Sequence, residues 1–262
     1  PILNDTWDLS IFYQSFDDPA IAADLQRLGA LAGEMQQILA GDADPVALLE
    51  AYAEKEEELE IVAGKLGGYA NLVLATDASN APARQLMDQV MQQSVQLSLL
   101  SSAHSRYLGE MSQEAFDQAV ASSEKLSAIA FYLRRQREDA LHLPAPEIQE
   151  WLLHMQLDGA VAFSNLRDQL DATLLVDYRG EQLPLSAVRG MAEDPDPAVR
   201  RDAYLAELAA YKKIEIPMAA CLNGIKGQGL TMIRAEKYDS ILDESLDHSN
   251  MDRETLEAMW TA

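Results

Sequence analysis

Cysteine is nearly absent: Cys221 is the only one in 262 residues, so no intramolecular disulfide can form. Its place on an apolar stripe reads as a buried thiol rather than a reactive one, and the scarcity suits a reducing cytoplasm. Basic residues are also few. With 20 Lys and Arg against 43 Asp and Glu the formal charge is −23, which leaves no positive footprint for nucleic acid or an anionic membrane surface. Binding of cationic peptides stays open, although acidic surface more often only solubilises. There is no apolar run of 18 residues and no basic start followed by an apolar core in Pro1 through Asp8, so neither a membrane span nor a signal peptide is expected, and the chain reads as cytoplasmic. Aromatic residues make up 6% and β-branched residues are sparse, which with abundant alanine and leucine points to an all-α fold. Catalytic motifs are missing too. The four histidines, His104, His142, His154 and His248, lie far apart, so there is no His-Glu-x-x-His. Nor is there a serine elbow, a credible Cys-His pair or a repeat of fixed period.

What is present is a series of helices. After an irregular lead from Pro1 to Phe16, with Trp7, Leu9, Ile11, Phe12 and Tyr13 available as anchors, Asp17-Asp18-Pro19 opens a helix to about Ala40 that Gly41 closes. Asp44-Pro45 opens the next, to about Thr76. Within it Glu54-Lys55-Glu56-Glu57-Glu58-Leu59-Glu60 reads as a solvated helix face rather than a cation site. Asp77 to Pro82 read as a turn, after which a third helix runs to about Leu108, a short one starts at Ser112, and another spans Ser123 to Leu141. The last carries Arg134, Arg135 and Arg137, read as partners of carboxylates and of helix C-terminal carbonyls, with a peptide carboxylate as the alternative. Pro144-Ala145-Pro146 begins a helix to Leu157, where Glu150 and His154 stand four apart without a third metal ligand. Gly159 separates it from one more. Thr173–Tyr178 and Glu181–Leu185 flank Arg179-Gly180 as a β-hairpin.

The longest periodic run follows. Asp194-Pro195-Asp196-Pro197 is a helix entry, and Tyr204, Leu208, Tyr211, Met218, Leu222, Ile225, Met232 and Ile233 recur at helical spacing. At about 1.5 Å per residue a helix from Pro197 to Glu236 spans close to ~60 Å, enough to pass between modules. Pro217 predicts a kink. Gly224, Gly227 and Gly229 together cost roughly 2–3 kcal/mol of helix stability, which implies close packing by another element, or else a hinge or ligand-facing backbone. Asp243, Glu244, Asp247 and Asp252 around His248 lack the spacing of an EF-hand and read as an exposed acidic loop. Asp252 opens a last helix, with Leu256, Met259 and Trp260 on its apolar face.

Three segments in order carry a resemblance: Asp196-Pro197-Ala198-Val199-Arg200-Arg201-Asp202-Ala203-Tyr204, Ala219 through Gly227, and Tyr238-Asp239-Ser240-Ile241-Leu242-Asp243-Glu244-Ser245-Leu246. With Trp7-Asp8-Leu9, Tyr69-Ala70-Asn71-Leu72 and Ala75-Thr76-Asp77 upstream, the chain resembles the amino-terminal part of the oligoendopeptidase F family of zinc metallopeptidases. Glu236-Lys237 departs from the Arg-Gly expected there. The resemblance implies a parent enzyme that hydrolyses oligopeptides, with zinc held by a His-Glu-x-x-His helix beyond Ala262. It implies no catalytic residue and no metal ligand within these residues, so this piece alone is expected to be inactive. Arg234 and Tyr238 become candidates for the substrate channel. The expected architecture is an all-α array of antiparallel helical hairpins with one small β-hairpin and a long kinked connecting helix. Residues 1–172 would form an amino-terminal domain, and 173–262 would lead into a missing catalytic domain. Oligopeptide substrate and that missing domain are the partners implied, and the fragment could self-associate through the face its other half would cover. The alternative is a stand-alone helical protein-interaction module without catalytic activity.

Overall fold

The computed structural model describes residues 7–262; the first six positions of the expected irregular lead lie outside them. Apart from one two-stranded antiparallel hairpin the described chain is helical, and it divides into two compact units, one reaching Leu143 and the other running from Pro144 to Ala262.

Three long helices build the first unit: α1 (Pro19–Ala40), α2 (Pro45–Thr76) and α3 (Ala81–Glu110). Each starts at a side-chain cap, Asp18, Asp44 or Asn80, that accepts hydrogen bonds from first-turn amides, and each has proline in its first turn, where a missing amide costs nothing. Leu28, Leu31 and Met35 of α1, Tyr52, Leu59, Leu66 and Tyr69 of α2, and Leu86 and Leu100 of α3 then fall at helical spacing on facing sides and close a core with Tyr13. Full burial of one such side chain is worth about 1.5–3 kcal/mol, so packing rather than propensity holds these helices. Of the anchors in the lead, Tyr13 is buried, whereas Trp7 and Ile11 are exposed.

At the other end of α2, Leu48 and Leu49 join Leu108, Phe116, Leu126 and Leu133 in a second cluster. This seats α4 (Gln113–Ser122), α5 (Glu124–Ala128) and α6 (Ala130–Asp139). The single helix expected over 123–141 is therefore two, interrupted at Ile129, whose φ of −106° and ψ of 18° are not helical. Arg137 donates to the carbonyls of Leu108 and Met111 at the end of α3, and Arg135 pairs with Glu138 and Asp139 of its own helix.

The second unit starts with α7 (Pro146–Gln156), which continues through a π-helical turn, Leu157–Val161, into α8 (Ala162–Thr173). Gly159 thus does not break the chain. The wider turn frees the Ala160 amide, which donates to Gln228 Oε1 at 2.6 Å. The boundary expected between residues 172 and 173 falls inside this unit, at the end of α8. Strands β1 (Leu175–Tyr178) and β2 (Glu181–Pro184) pair with Leu175 opposite Pro184. Arg179 and Gly180, at φ of 49° and 90°, supply the two left-handed residues of a tight hairpin turn. Val176 and Tyr178 point into a core completed by Val188 of α9 (Leu185–Gly190) and by Ala203 and Ala210 of α10 (Pro197–Tyr211).

The long run is two helices rather than one kinked rod. It stops after α10, turns through Lys212, Lys213 and Ile214, and resumes as α11 (Glu215–Ala235). Pro217 is the reason. In an unbroken helix its ring would crowd the Lys213 carbonyl and its missing amide would leave that carbonyl unpaired; after the break it sits in the first turn of α11, where proline is tolerated. Both helices belong to the second unit. Gly224 lets α11 meet α8, since a Cβ there would lie 2.3 Å from Phe163 Cδ2, whereas Gly227 and Gly229 have nothing within 4 Å. Close packing accounts for one of the three glycines.

The acidic stretch expected as a loop is the helix α12 (Ile241–His248), because the Ser240 hydroxyl caps it by accepting from the Asp243 amide at 3.1 Å. Helix α13 (Arg253–Thr261) follows, capped by Asp252.

Candidate functional site

Arg234 and Tyr238 lie where α11 ends. Arg234 is exposed in the last turn. Tyr238 is half-buried; its hydroxyl donates to Asp247 Oδ2 at 2.7 Å and its ring meets His248 edge-on at 6.1 Å. Between them Lys237 has φ of 60°, and the Tyr238 amide donates back to the Ile233 carbonyl at 3.1 Å. That bond closes the helix in the manner of a Schellman cap, whose left-handed position favours glycine. The departure from the resembled Arg-Gly therefore leaves the turn intact and puts a lysine in a backbone conformation that glycine adopts more cheaply. Glu150 and His154 are exposed, and no group of three or more His, Cys, Asp or Glu able to hold a metal occurs among the described residues. Cys221 is buried.

The first unit holds a site that the sequence reading missed. The acidic run of α2 does not form one solvated face. Lys55 and Glu58 turn to α1, where Arg27 bridges Glu34 and Glu58 at 2.5 and 2.7 Å and Lys55 bridges Glu34 at 2.7 Å. Glu50, Ala53, Glu54, Glu57, Glu60 and Ile61 instead recur at spacings of three and four on another side. With Glu56 they form one wall of an open groove of about 1030 Å³, and Lys125, Leu126, Ile129 and Tyr132 of the α5–α6 corner form the other. Lys125 pairs with Glu54.

Behind that groove lies a buried polar layer. Gln136 Nε2 donates to the Tyr132 hydroxyl at 2.6 Å and to Glu56 Oε1 at 3.3 Å. Burial pushes the Glu56 carboxyl above its usual range, against the pull of hydrogen bonds from Tyr132 and Gln136, and burial with the Glu56 charge pushes the Tyr132 hydroxyl up. Deeper still, His104 stacks on Tyr52 with ring centroids 3.9 Å apart and an interplanar angle of 18°. Burial drives the imidazole down to about 4, partly countered by Gln136. Both ring nitrogens of His104, the Tyr52 hydroxyl and Gln136 Oε1 are buried without a well-formed hydrogen bond. The sequence signal was faint: a stripe of glutamates at positions 50, 54, 57 and 60, hidden in a longer acidic run. A smaller hollow of about 540 Å³ in the second unit is lined by Arg189, Tyr211 and Met218, and its arginine is already held by Glu207 at 2.9 Å and by Tyr211.

Comparison with known proteins rests on the fold. No family model matches the sequence, and no curated protein does. Among solved structures, oligoendopeptidase-F from Enterococcus faecium superposes with a TM-score of 0.68 and 17% identity, over 94% of this chain and 48% of that one. An inferred peptidase from Chlamydophila abortus gives a TM-score of 0.52 and 21% identity, over 94% of this chain and 42% of that one. The chain spans about half the length of the structures it matches, and over that half it has the oligoendopeptidase-F fold.

Proposed function

We propose that these residues are the amino-terminal, substrate-channel lobe of an oligoendopeptidase F-like zinc metallopeptidase, a parent enzyme that hydrolyses oligopeptides. The observation that carries this is the match of nearly the whole chain to less than half of a solved oligoendopeptidase-F, in company with motif segments that run in the family's order. Zinc hydrolysis needs three protein ligands around one ion and an open position for water. The described residues present no such group, and this reading puts the zinc ligands elsewhere in the parent enzyme. The lobe's task is then to admit and align an extended peptide, which matters because reacting groups must be held near attack geometry. Arg234 and Tyr238 are the channel-facing candidates, and the parent is taken to act in the cytoplasm.

Exposed apolar side chains on the second unit are consistent with contact to a partner in the parent enzyme. Trp151 and Met155 of α7, and Ile216, Leu222 and Leu230 of α11, are all exposed, apolar side chains that a partner domain would cover. A stand-alone interaction module that docks a different protein on these same side chains is the second reading, and they serve it equally. Sequencing the gene past Ala262 separates the two: a His-Glu-x-x-His codon series supports the first, an immediate stop codon the second. Should the purified chain self-associate through this surface, light scattering will show a species larger than the monomer.

A further inference from the structure

We propose that the hollow where α10 gives way to α11 is a binding site for a small zwitterion, a free α-amino acid with an apolar side chain. The inference concerns the second unit alone and does not depend on the peptidase reading.

The hollow is a consequence of the helix break. Because Pro217 makes the chain unwind through Lys212, Lys213 and Ile214, the end of α10 and the start of α11 border a space that also meets the last turn of α8 and the end of α9. That space measures about 540 Å³, within the roughly 300–1,000 Å³ typical of small-molecule sites.

Charge is the first argument, because both signs line the hollow without neutralising one another. Asp171 and Glu215 supply carboxylates, and Arg189 and Lys212 supply cations. Among the described residues the side chains of Asp171, Glu215 and Lys212 make no ion pair or hydrogen bond. Arg167, whose charge also reaches Asp171, is paired with Asp168. Arg189 is oriented rather than used up. Its Nε donates to Glu207 Oε1 at 2.9 Å and its Nη2 to the Tyr211 hydroxyl. A guanidinium has five N–H groups, so most of its donors stay available on a head whose direction two bonds have already set. Such a head receives a carboxylate with less loss of conformational freedom than an untethered one.

The apolar lining is the second argument. Ile214, at 9% exposure, and the half-buried Met218 and Tyr211 bring apolar surface to the same hollow. A ligand that meets every feature carries a carboxylate for Arg189 and Lys212, an ammonium for Asp171 and Glu215, and an apolar group for Met218 and Ile214. An α-amino acid such as leucine holds all three within a few bonds. A simple anion would face Asp171 and Glu215, a simple cation would face Arg189 and Lys212, and like charges set against each other are penalised.

The test uses the full 262-residue chain with isotope-labelled methionine methyl groups and L-leucine as the titrant. The Met218 methyl signal, assigned through its loss in Met218→Leu, should shift saturably in the millimolar range, as suits so small a ligand in an open hollow. The signal of Met35, buried in the first unit, should stay still. Lys212→Gln and the pair Asp171→Asn, Glu215→Gln should each weaken binding about threefold or more, the worth of an exposed charge pair, with circular dichroism unchanged because these side chains bond to nothing else. N-acetyl-leucine and leucinamide each lack one charge, and glycine lacks the side chain. All should bind at least about threefold more weakly than leucine. A Met218 methyl unmoved up to the solubility of leucine would overturn the proposal, as would an equal shift of Met35. So would equal affinity for leucine and leucinamide, or no loss in Lys212→Gln, since either would mean that the cations of the hollow do not read the carboxylate.

Discussion

Replacing Gly224 by alanine should destabilise the second unit, although alanine is the better helix former. Taken alone, the exchange in a helix interior is worth about 0.8–1 kcal/mol in alanine's favour. Against it stands the Phe163 ring, with Cδ2, Cε2 and Cγ at 2.3, 2.5 and 2.9 Å from the new Cβ. Carbon atoms prefer roughly 3.5–4.0 Å, so α8 and α11 must separate by about an ångström or Phe163 must leave its rotamer. Overpacking of that kind costs about 1–3 kcal/mol, and a displaced ring forfeits further contacts, so a net loss of about 1–2 kcal/mol is expected. Gly227→Ala is the internal control: same helix, same exchange, nothing within 4 Å. It should gain up to about 1 kcal/mol. Urea titration followed by tryptophan fluorescence suits the comparison, because Trp151 and Trp260 both lie in this unit. Equal midpoints for the two variants, or a stabilised Gly224→Ala, would refute the packing of Phe163 on bare backbone. Phe163→Ala should in turn remove the penalty of Gly224→Ala, so that the pair is non-additive.

The remaining expectations concern pH, a helix end and the groove. His104 titrates at about 4 in the folded chain against an ordinary 6.5, so the unfolded chain takes up a proton the folded one refuses. Stability is full above about 6.5 and falls as pH drops toward 4, by ~3 kcal/mol over that interval at about 1.4 kcal/mol per pH unit. Glu56, raised instead, works the other way, stabilising at low pH and losing that contribution as pH rises through its folded value. His104→Leu therefore isolates the histidine: denaturation midpoints at pH 7.5 and 5 should converge in the variant and diverge in the parent, and identical slopes would count against a neutral buried imidazole. Lys237→Gly should raise the stability of the second unit by about 0.5–1 kcal/mol, since φ of 60° is costly for lysine and free for glycine; a lowered denaturation midpoint would mean that the lysine makes a contact of its own. In the groove, Tyr132→Phe removes the hydroxyl that receives Gln136 Nε2 and should lower stability by about 1 kcal/mol, checked by the same titration.

Much of this fold was readable because local signals agreed. The Asp-Pro entries at Asp18, Asp44 and Asp196 mark helix starts by caps and prolines that act within one turn, and the hairpin at Arg179-Gly180 was legible for the same reason. The errors came where tertiary placement decides. Pro217 announced a disturbance but not its site, because the chain relieves the clash by unwinding before the proline rather than bending at it. The Asp243 to His248 stretch looked like a loop through its carboxylates, while the Ser240 cap and Leu246, buried at 9% exposure, make it a helix. The groove was least visible. A run of glutamates has no direction in one dimension, and only the position of Tyr132 and Gln136, more than 70 residues later, distinguishes the carboxylates that pair with α1 from those that face open space. The family resemblance rested on the order of short segments, and the fold it implied is the one observed.

The central claim is that peptide-bond chemistry resides outside these 262 residues. The most direct measurement is hydrolysis of an internally quenched oligopeptide by the purified chain with one equivalent of zinc, with metal content determined after gel filtration. The account predicts no turnover and less than a tenth of an equivalent of zinc retained, a level that ~1 ion per site would exceed plainly. Chelator-sensitive cleavage, accompanied by one zinc per chain, would contradict it.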